Sequence, residues 1–380
     1  MADSRQSPSP KSSVAAVKAT DTSASPASPA TAEQQPGSGQ QSPPEVSPNA
    51  GILPASHWQP LDPSDNDADS ALGDSQSATT SLKSTIYQYR TFNGRTYHGD
   101  LGSAESWTPN DERHLESMDM AHHVAELMLN GKLHLAPLEH DKIRNVIDIG
   151  TGTGMWAVDF ADTHPGAEVL GTDVTPIQST WLPPNCRFEI DDANRSWVHQ
   201  DELFDYIHIR FLIGNIGDWD KFYSEAFRCC KPGGWIEHQE PSFLMASESS
   251  SPITEDSPMG QLARVFWEGG RKFGRTFRIY EDDIQRKGME AAGFTDITVK
   301  DIKIPTGGWP SDPKLKSLGE FSDATFVNDL EGYLNYMCNA IMGWSPVETQ
   351  VYCAHLRRQL RQPGVNPYFI RRIVYGRKPE

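Results

Sequence analysis

From Asn145 onward the chain alternates short apolar runs with amphipathic stretches. "VIDI", Val146–Ile149, is too short for a helix, and "MWAVDFADTH" behind it spaces its apolar residues at helical intervals. "AEVLGTD", "CRFEID" and "FDYIHIRF" read as further strands and "DWDKFYSEAFRCC" as a helix. "GGWIEHQE" reads as a strand entered through a Lys231-Pro232-Gly233-Gly234 turn. Strands separated by helical stretches predict a parallel sheet covered on both faces. Beyond it the alternation breaks. "SPMGQLARVFWEGGRKF" and "EDDIQRKGMEAAGF" are helical, "ITVKDIKIP" is a strand, and two further helices precede a last strand, "YFIRRIVYG".

Upstream, "TPNDERHLESMDMAHHVAELMLNGKLHLAP" predicts a helix. Thr108 or Asn110 is placed to cap it, Pro109 suits its first turn, and Asp111 and Glu112 complement its dipole. Leu115, Met118, Val124, Leu127 and Met128 form its apolar face, and Gly131 ends it. "STIYQYRTFNGRTYHG" predicts a strand pair or ordered arm turning at Asn93-Gly94. Residues 1–84 are dominated by Ser, Pro, Ala, Gln and Gly. Such a segment buries too little apolar surface to offset its chain entropy and is expected to be disordered. Its six Ser-Pro pairs, at Ser7, Ser9, Ser25, Ser28, Ser42 and Ser47, read either as phosphorylation sites or as incidental features of a solvating tail.

Charge narrows the function classes. The 51 acids against 34 bases give a net charge of −17, and no basic stripe appears, which argues against nucleic acid as a direct partner. The tail holds 9 acids and 4 bases, leaving 42 against 30 in the rest, so the acidity belongs to the folded part. No apolar run approaches the roughly 20 residues of a membrane span, and "MADSRQSPSPK" lacks the core of a signal peptide. The five cysteines are odd in number and fit neither a disulfide framework nor a zinc spacing. A soluble protein of the nucleus or cytoplasm is expected.

The candidate chemistry begins at "NVIDIGTGTGMWAVDFA", which places Gly150, Gly152 and Gly154 straight after an apolar strand. A dinucleotide site uses G-x-G-x-x-G, and the third glycine of that pattern falls here on Met155. Asp148 adds a carboxylate ahead of the loop, unfavourable beside a pyrophosphate and favourable beside an ammonium or sulfonium. Asp173, 19 residues after Gly154, ends the second strand, where a carboxylate accepts from both ribose hydroxyls. Asp191 or Asp192, after the third strand, is placed for an adenine amino group. These ordered markers describe S-adenosylmethionine better than a nicotinamide dinucleotide.

With these residues in view, the chain resembles a class I methyltransferase and, more narrowly, the fungal LaeA-like methyltransferases associated with velvet regulatory proteins and secondary metabolism. The resemblance runs from about Tyr87 to Tyr375 through "YRTFNGRTYH", "TPNDERHLESMDMAHH", "GKLHLAPL", "VIDIGTGTGMWAVDFA", "GTDVTPIQSTWLPPNCRFEIDDANRSW", "FDYIHIRFLIGNIGDW" and "CCKPGGWIEHQE". It implies an α/β, Rossmann-like fold with a seven-stranded, mostly parallel sheet whose last strand is antiparallel. It implies S-adenosylmethionine as cofactor, an arm near Tyr97 and His98 lying over it, and either velvet-type protein partners or a small-molecule substrate. Two segments depart from the pattern. "ESMDMAHH" stands where relatives carry Arg-Leu-Asp, and "NRSWVHQ" is less acidic than usual. The expected organisation is a tail over 1–84, an arm and helix over 85–144, and a methyltransferase domain with helical insertions over 145–380.

The candidate cofactor residues are Asp148, Gly150, Thr151, Gly152, Thr153, Gly154, Asp173, Val174, Asp191, Asp192, Ala193 and Arg210. Arg210, ending the fourth strand, is placed to hold a carboxylate or to pair with a local acid. An oxygen nucleophile needs a base, for which His98, His208, His238 and Glu240 are candidates; none is singled out. His114, His122 and His123 lack an accompanying cage of acids, so no metal is expected. The aromatic-rich C-terminal helices, with Trp267, Phe273, Trp309, Phe326, Tyr333, Tyr336, Met337, Met342 and Trp344, are read either as a pocket wall or as core.

Overall fold

The computed structural model describes residues 51–61, 89–99, 105–249 and 252–380. The six Ser-Pro pairs lie outside them. The central sheet contains β3 (Asn145–Ile149), β4 (Glu168–Asp173), β5 (Cys186–Ile190), β6 (Phe204–Arg210), β7 (Cys230–Pro241), β9 (Thr295–Pro305) and β10 (Pro367–Arg377), with a two-residue strand β8 (Ala246–Ser247) at its margin. The spatial order is β5-β4-β3-β6-β7-β10, with β9 on the far side of β10. β3 pairs in parallel with β4 and β6, and β6 in parallel with β7. β10 is antiparallel to both β7 and β9. The expected sheet is therefore present, with its last strand inserted between two earlier ones rather than added at an edge. β7 also starts at Cys230, earlier than expected, because the Lys-Pro-Gly-Gly stretch is absorbed into the strand.

Alternation sorts the strand residues between the two faces. Val146, Val169 and Tyr206 pack with Trp156 and Phe160 of α2 (Met155–Thr163). Ile147, Leu170 and Ile207 join the larger core on the other face, with Phe222 and Tyr223 of α3 (Trp219–Cys229) and Met289 of α5 (Ile284–Ala292). A third cluster fixes α1 (Glu112–Met128) and α6 (Pro313–Asn328) over the far end of the sheet, joining Val124, Met128 and Leu318 to Ile304 and Ile373. Local sequence marks the helix ends. Ser257 caps α4 (Pro258–Phe273), and Ser345 and Glu348 form a capping box for α8 (Pro346–Leu360). The C-terminal region holds more helix than expected, because α7 (Leu330–Asn335) and a π-helical turn, Tyr336–Ile341, lie between α6 and α8.

Two expectations are corrected here. The cap of α1 is Asp111, whose carboxylate accepts from the His114 N–H, rather than Thr108 or Asn110. The reason is the arm: Pro109 is bridged to Tyr97 and the Asn110 N–H is spent on Thr96, so the helix starts later. Residues 51–61, expected to belong to a structureless tail, instead pack on the domain. Trp58, the sole aromatic before residue 85, lies 5.1 Å from the Tyr352 ring. The Leu53 N–H donates to Gln261 at 2.8 Å and His355 donates to the Gln59 carbonyl at 2.6 Å. Average composition hides a single large apolar anchor of this kind.

The arm is a hairpin, β1 (Arg90–Phe92) and β2 (Arg95–Tyr97), turning through Asn93 and Gly94 at φ 48° and 76°. Arg95 ties it down. Its guanidinium meets Asp111 at 2.5 and 2.6 Å and Asp329 at 2.7 and 3.0 Å, and His114 Nδ1 meets Asp329 at 2.7 Å. Asp329 is fully buried, so removing it leaves buried His114 Nδ1 without its carboxylate and Arg95 with Asp111 alone. Breaking such a group costs about 3–5 kcal/mol. Asp329→Ala is expected to lower the urea midpoint by that equivalent, and Asp111→Ala, with its more exposed carboxylate, by clearly less.

Candidate cofactor and acceptor site

The C-terminal ends of β3, β4, β5 and β6 open into one cavity of about 310 Å³, roofed by the arm, α1, α6 and α7. The glycine loop forms its floor. Gly150, Gly152 and Gly154 take φ 69°, 59° and 85°, a left-handed backbone that L side chains rarely adopt. A Cβ at Gly150 would lie 2.3 Å from Leu212, and one at Gly152 would lie 2.3 Å from the Met118 methyl. Gly154 is different. It caps α2 and packs against Phe188 outside the cavity, so it shapes the turn without facing a ligand.

The other candidate cofactor residues, Asp148, Thr151, Thr153, Asp173, Val174, Asp191, Asp192, Ala193 and Arg210, all line the cavity with Gly150 and Gly152. Their roles separate on inspection. Asp148 lies within β3, not at its end, and spends its oxygens inside the protein, accepting from Thr151 Oγ1 at 2.6 Å and meeting His208 Nδ1 at 2.7 Å. It braces the loop from below. Asp173 accepts from the Gly152 N–H and the Thr175 N–H, both at 2.9 Å, one on each oxygen. A carboxylate offers about four lone-pair sites, so each oxygen keeps capacity for a ribose hydroxyl. Burial pushes Asp173 up to about 6, against the pull of those backbone donors. Asp191 accepts from the Asp192 N–H, while Asp192 accepts from the Asn194 N–H at 2.9 Å and pairs with Arg195 at 3.3 Å, fixing the loop after β5.

Arg210 ends β6 and pairs with no acid among the described residues. Its Nη2 donates to His122 Nδ1 at 3.1 Å, and His122 Nε2 meets Asp159 at 2.8 Å. Burial lowers the Arg210 pKa, opposed by Asp148, Glu126 and Asp159. Phe211, next in the chain, holds a left-handed φ of 58°, a strain of order 1–3 kcal/mol for a bulky residue and a mark of functional sites.

Of the four candidate bases, only His98 lines the cavity, with Nδ1 3.2 Å from Thr175 Oγ1. His208 is fully buried, stacked on Trp156 at 3.7 Å, and pushed down to about 4 by burial despite its bond to Asp148. His238 bridges Tyr223 and Glu240, and Glu240 in turn accepts from the Leu212 N–H at 2.7 Å. These three pin the sheet and its loops. Among the C-terminal aromatics only Phe326 and Tyr333 reach the cavity, and the apolar wall is completed by Trp107, Phe211, Phe243 and Phe369. His134, His140 and His164, which are not neighbours in sequence, converge within 4.8 Å; they gather where β3 and β4 begin, away from this cavity.

Four polar side chains on the wall were missed. Asn110, Asn215, Thr306 and Arg371 each carry buried polar atoms with no partner among the described residues. For Arg371 a signal existed: "YFIRRIVYG" alternates, and the arginine occupies the inward register of Phe369 and Ile373. A lined floor, a ribose-ready carboxylate and orphaned donors and acceptors together fit an adenosyl cofactor with a charged tail.

The comparisons agree with this geometry. Residues 120–299 match the methyltransferase-domain family. The methyltransferase pytC of Aspergillus terreus is 35% identical over 314 residues, covering 82% of this chain and 95% of that protein. The secondary metabolism regulator LAE1 of Cochliobolus heterostrophus is 31% identical over 297 residues, 76% of this chain and 94% of its own length. The protein-methionine methyltransferase laeA of Emericella nidulans is 26% identical over 311 residues, 80% of each chain. The chain belongs to the LaeA-like class I methyltransferases, enzymes whose cofactor is S-adenosylmethionine.

If Asp173 must be ionised to hold a ribose, cofactor affinity rises with pH through its raised pKa of about 6. Calorimetry from pH 5 to 8 is expected to show several-fold tighter binding at the alkaline end. Asp173→Asn is expected to bind weakly at every pH and to flatten the profile.

Proposed function

We propose that this enzyme acts in the regulation of secondary metabolism and development, in the nucleus or cytoplasm, with velvet-type regulatory proteins as partners. Its support is the presence of named secondary metabolism regulators among its relatives, together with a long Ser-Pro-rich segment ahead of the folded domain. In this reading Asp173 holds the ribose and the Asp191–Asp192 pair meets the adenine amino group. Asp148, Thr151 and Thr153 fix the loop beneath the methionine portion. Arg210, beside Asp148 and His122, receives the cofactor's carboxylate. When bound, the cofactor would supply a methyl group on a positively charged sulfur, the sulfur keeping the bonding electron pair as neutral S-adenosylhomocysteine. The chain's own contribution is placement and exclusion of water by an aromatic-lined cavity.

A second reading, methylation of a small secondary metabolite, has its own observation. The cavity is walled by Trp107, Phe243, Phe326 and Tyr333 and lies under the arm, a setting suited to a compact apolar acceptor.

Calorimetry tests the common ground. Losing two charge-assisted hydrogen bonds at roughly 1.5–3 kcal/mol each puts the effect of Asp173→Ala at a hundredfold or more, and Gly152→Arg is expected to abolish binding. Unchanged affinity in both variants would end the cofactor assignment. Affinity capture from cell extract separates the roles: recovery of velvet-type proteins by the full chain, lost on deleting residues 1–84, supports regulation. Capture of none, with turnover of a metabolite, supports the tailoring enzyme.

A further inference from the structure

We infer that the methyl acceptor is an organic anion with an apolar body, and that Arg371 is the residue that anchors its charge. The inference rests on the methyl-transfer reading of this cavity and adds the class of molecule that enters beside the cofactor.

Arg371 sits on β10 between Phe369 and Ile373, on the face covered by α1 and α6. It lines the cavity and is only 3% exposed. Its Nε and Nη1 have no partner, and no ion pair reaches it among the described residues. Its guanidinium carbon lies 4.3 Å from the centre of the ring of Phe211, the strained residue that follows β6. Thr306, 2% exposed, follows β9 beside the start of β10 and faces the same cavity with an unpartnered Oγ1.

The charges that bear on Arg371 leave it unneutralised. Burial pushes it down to about 9, Arg210 acts in the same direction, and Glu240 and Tyr333 oppose them. Glu240 is no counter-ion. Arg371 is in register with Pro241, so the neighbouring Glu240 projects from the opposite face of the sheet, where His238 and the Leu212 N–H engage its Oε1. Arg210 is itself bonded to a histidine rather than to an acid. Two guanidinium groups therefore share one cavity without a carboxylate paired to either among the described residues. A buried, unpaired cation is costly, and a methionine or leucine would fill this register without that cost. Its presence is accounted for when a ligand brings the opposite charge.

The neighbours define the rest of the ligand. Phe211 stacks on the guanidinium, Tyr333 bears on it electrostatically, and Phe243, Phe326, Trp107 and Leu262 line the same cavity. A flat aromatic carboxylate or an acidic enol satisfies both demands, the anion on Arg371 and Thr306 and the body against the rings.

The test uses the full chain saturated with S-adenosylhomocysteine and two probes of equal shape, 2-naphthoate and neutral 2-naphthamide, titrated by calorimetry. Naphthoate is expected to bind at least about tenfold more tightly than naphthamide, the scale of one charge-assisted contact. Arg371→Met is expected to erase that preference while keeping the affinity for S-adenosylhomocysteine, and Arg371→Lys to retain part of it. If the methionine variant fails to fold, Thr306→Val serves in its place, weakening naphthoate several-fold and leaving naphthamide unchanged. Equal affinities for the two probes, no naphthoate binding at millimolar concentration, or an Arg371→Met variant that weakens S-adenosylhomocysteine instead overturns the assignment. Failure of the wild-type chain to bind S-adenosylhomocysteine overturns the methyl-transfer reading itself, a separate outcome.

Discussion

The bond from the Gly152 amide to the Asp173 carboxylate holds the rest of this site in place. A loop with three left-handed glycines has little intrinsic reason to stay folded, since glycine surrenders more chain entropy than any other residue. Asp173 fastens it to the end of β4, Asp148 braces it through Thr151, and the Met118 methyl of α1 closes over Gly152. With α1 so fixed, His122 is in position to receive Arg210, and His114 to join the Asp329 group that secures the arm. Sheet, loop, helix and arm are thus registered through a short series of mostly polar contacts.

The cavity is electrically uneven. Asp148 stands within β3, Asp173 ends β4, and Asp191 and Asp192 follow β5, whereas Arg210 ends β6 and Arg371 lies on β10. A cationic methyl donor at the acidic side and an anionic acceptor at the basic side would each be stabilised where it lies, and would attract one another across a space poor in water. Such an arrangement lessens the need for a general base. That agrees with the structural duties found for His208, His238 and Glu240, which brace strands and loops through His208 Nδ1, both His238 ring nitrogens and Glu240 Oε1.

Much of this was legible in the sequence because it depends on local pattern. The glycine spacing, the acids near strand ends and the period-two runs locate every strand of the main sheet except the two-residue β8, and most of the loop's surroundings. What escaped depends on contacts between distant segments. Asp111 caps α1 only because the hairpin claims the Asn110 amide. Trp58 orders its neighbours only because α8 offers Tyr352 and His355. His208 is removed from the list of bases by a stacking partner, Trp156, that lies 52 residues earlier in the chain. Arg371 was visible as an arginine in an apolar register, yet its solitude is a property of the assembled cavity.

The placement of β10 bears on how the protein is made. It follows both β7 and β9 in the chain yet lies between them, so each of those strands keeps an open hydrogen-bonding edge until β10 is in place. Such unpaired edges invite association with other chains, and pairing across long sequence separations is slow. The Arg371 side of the cavity is therefore completed only when β10 closes those edges.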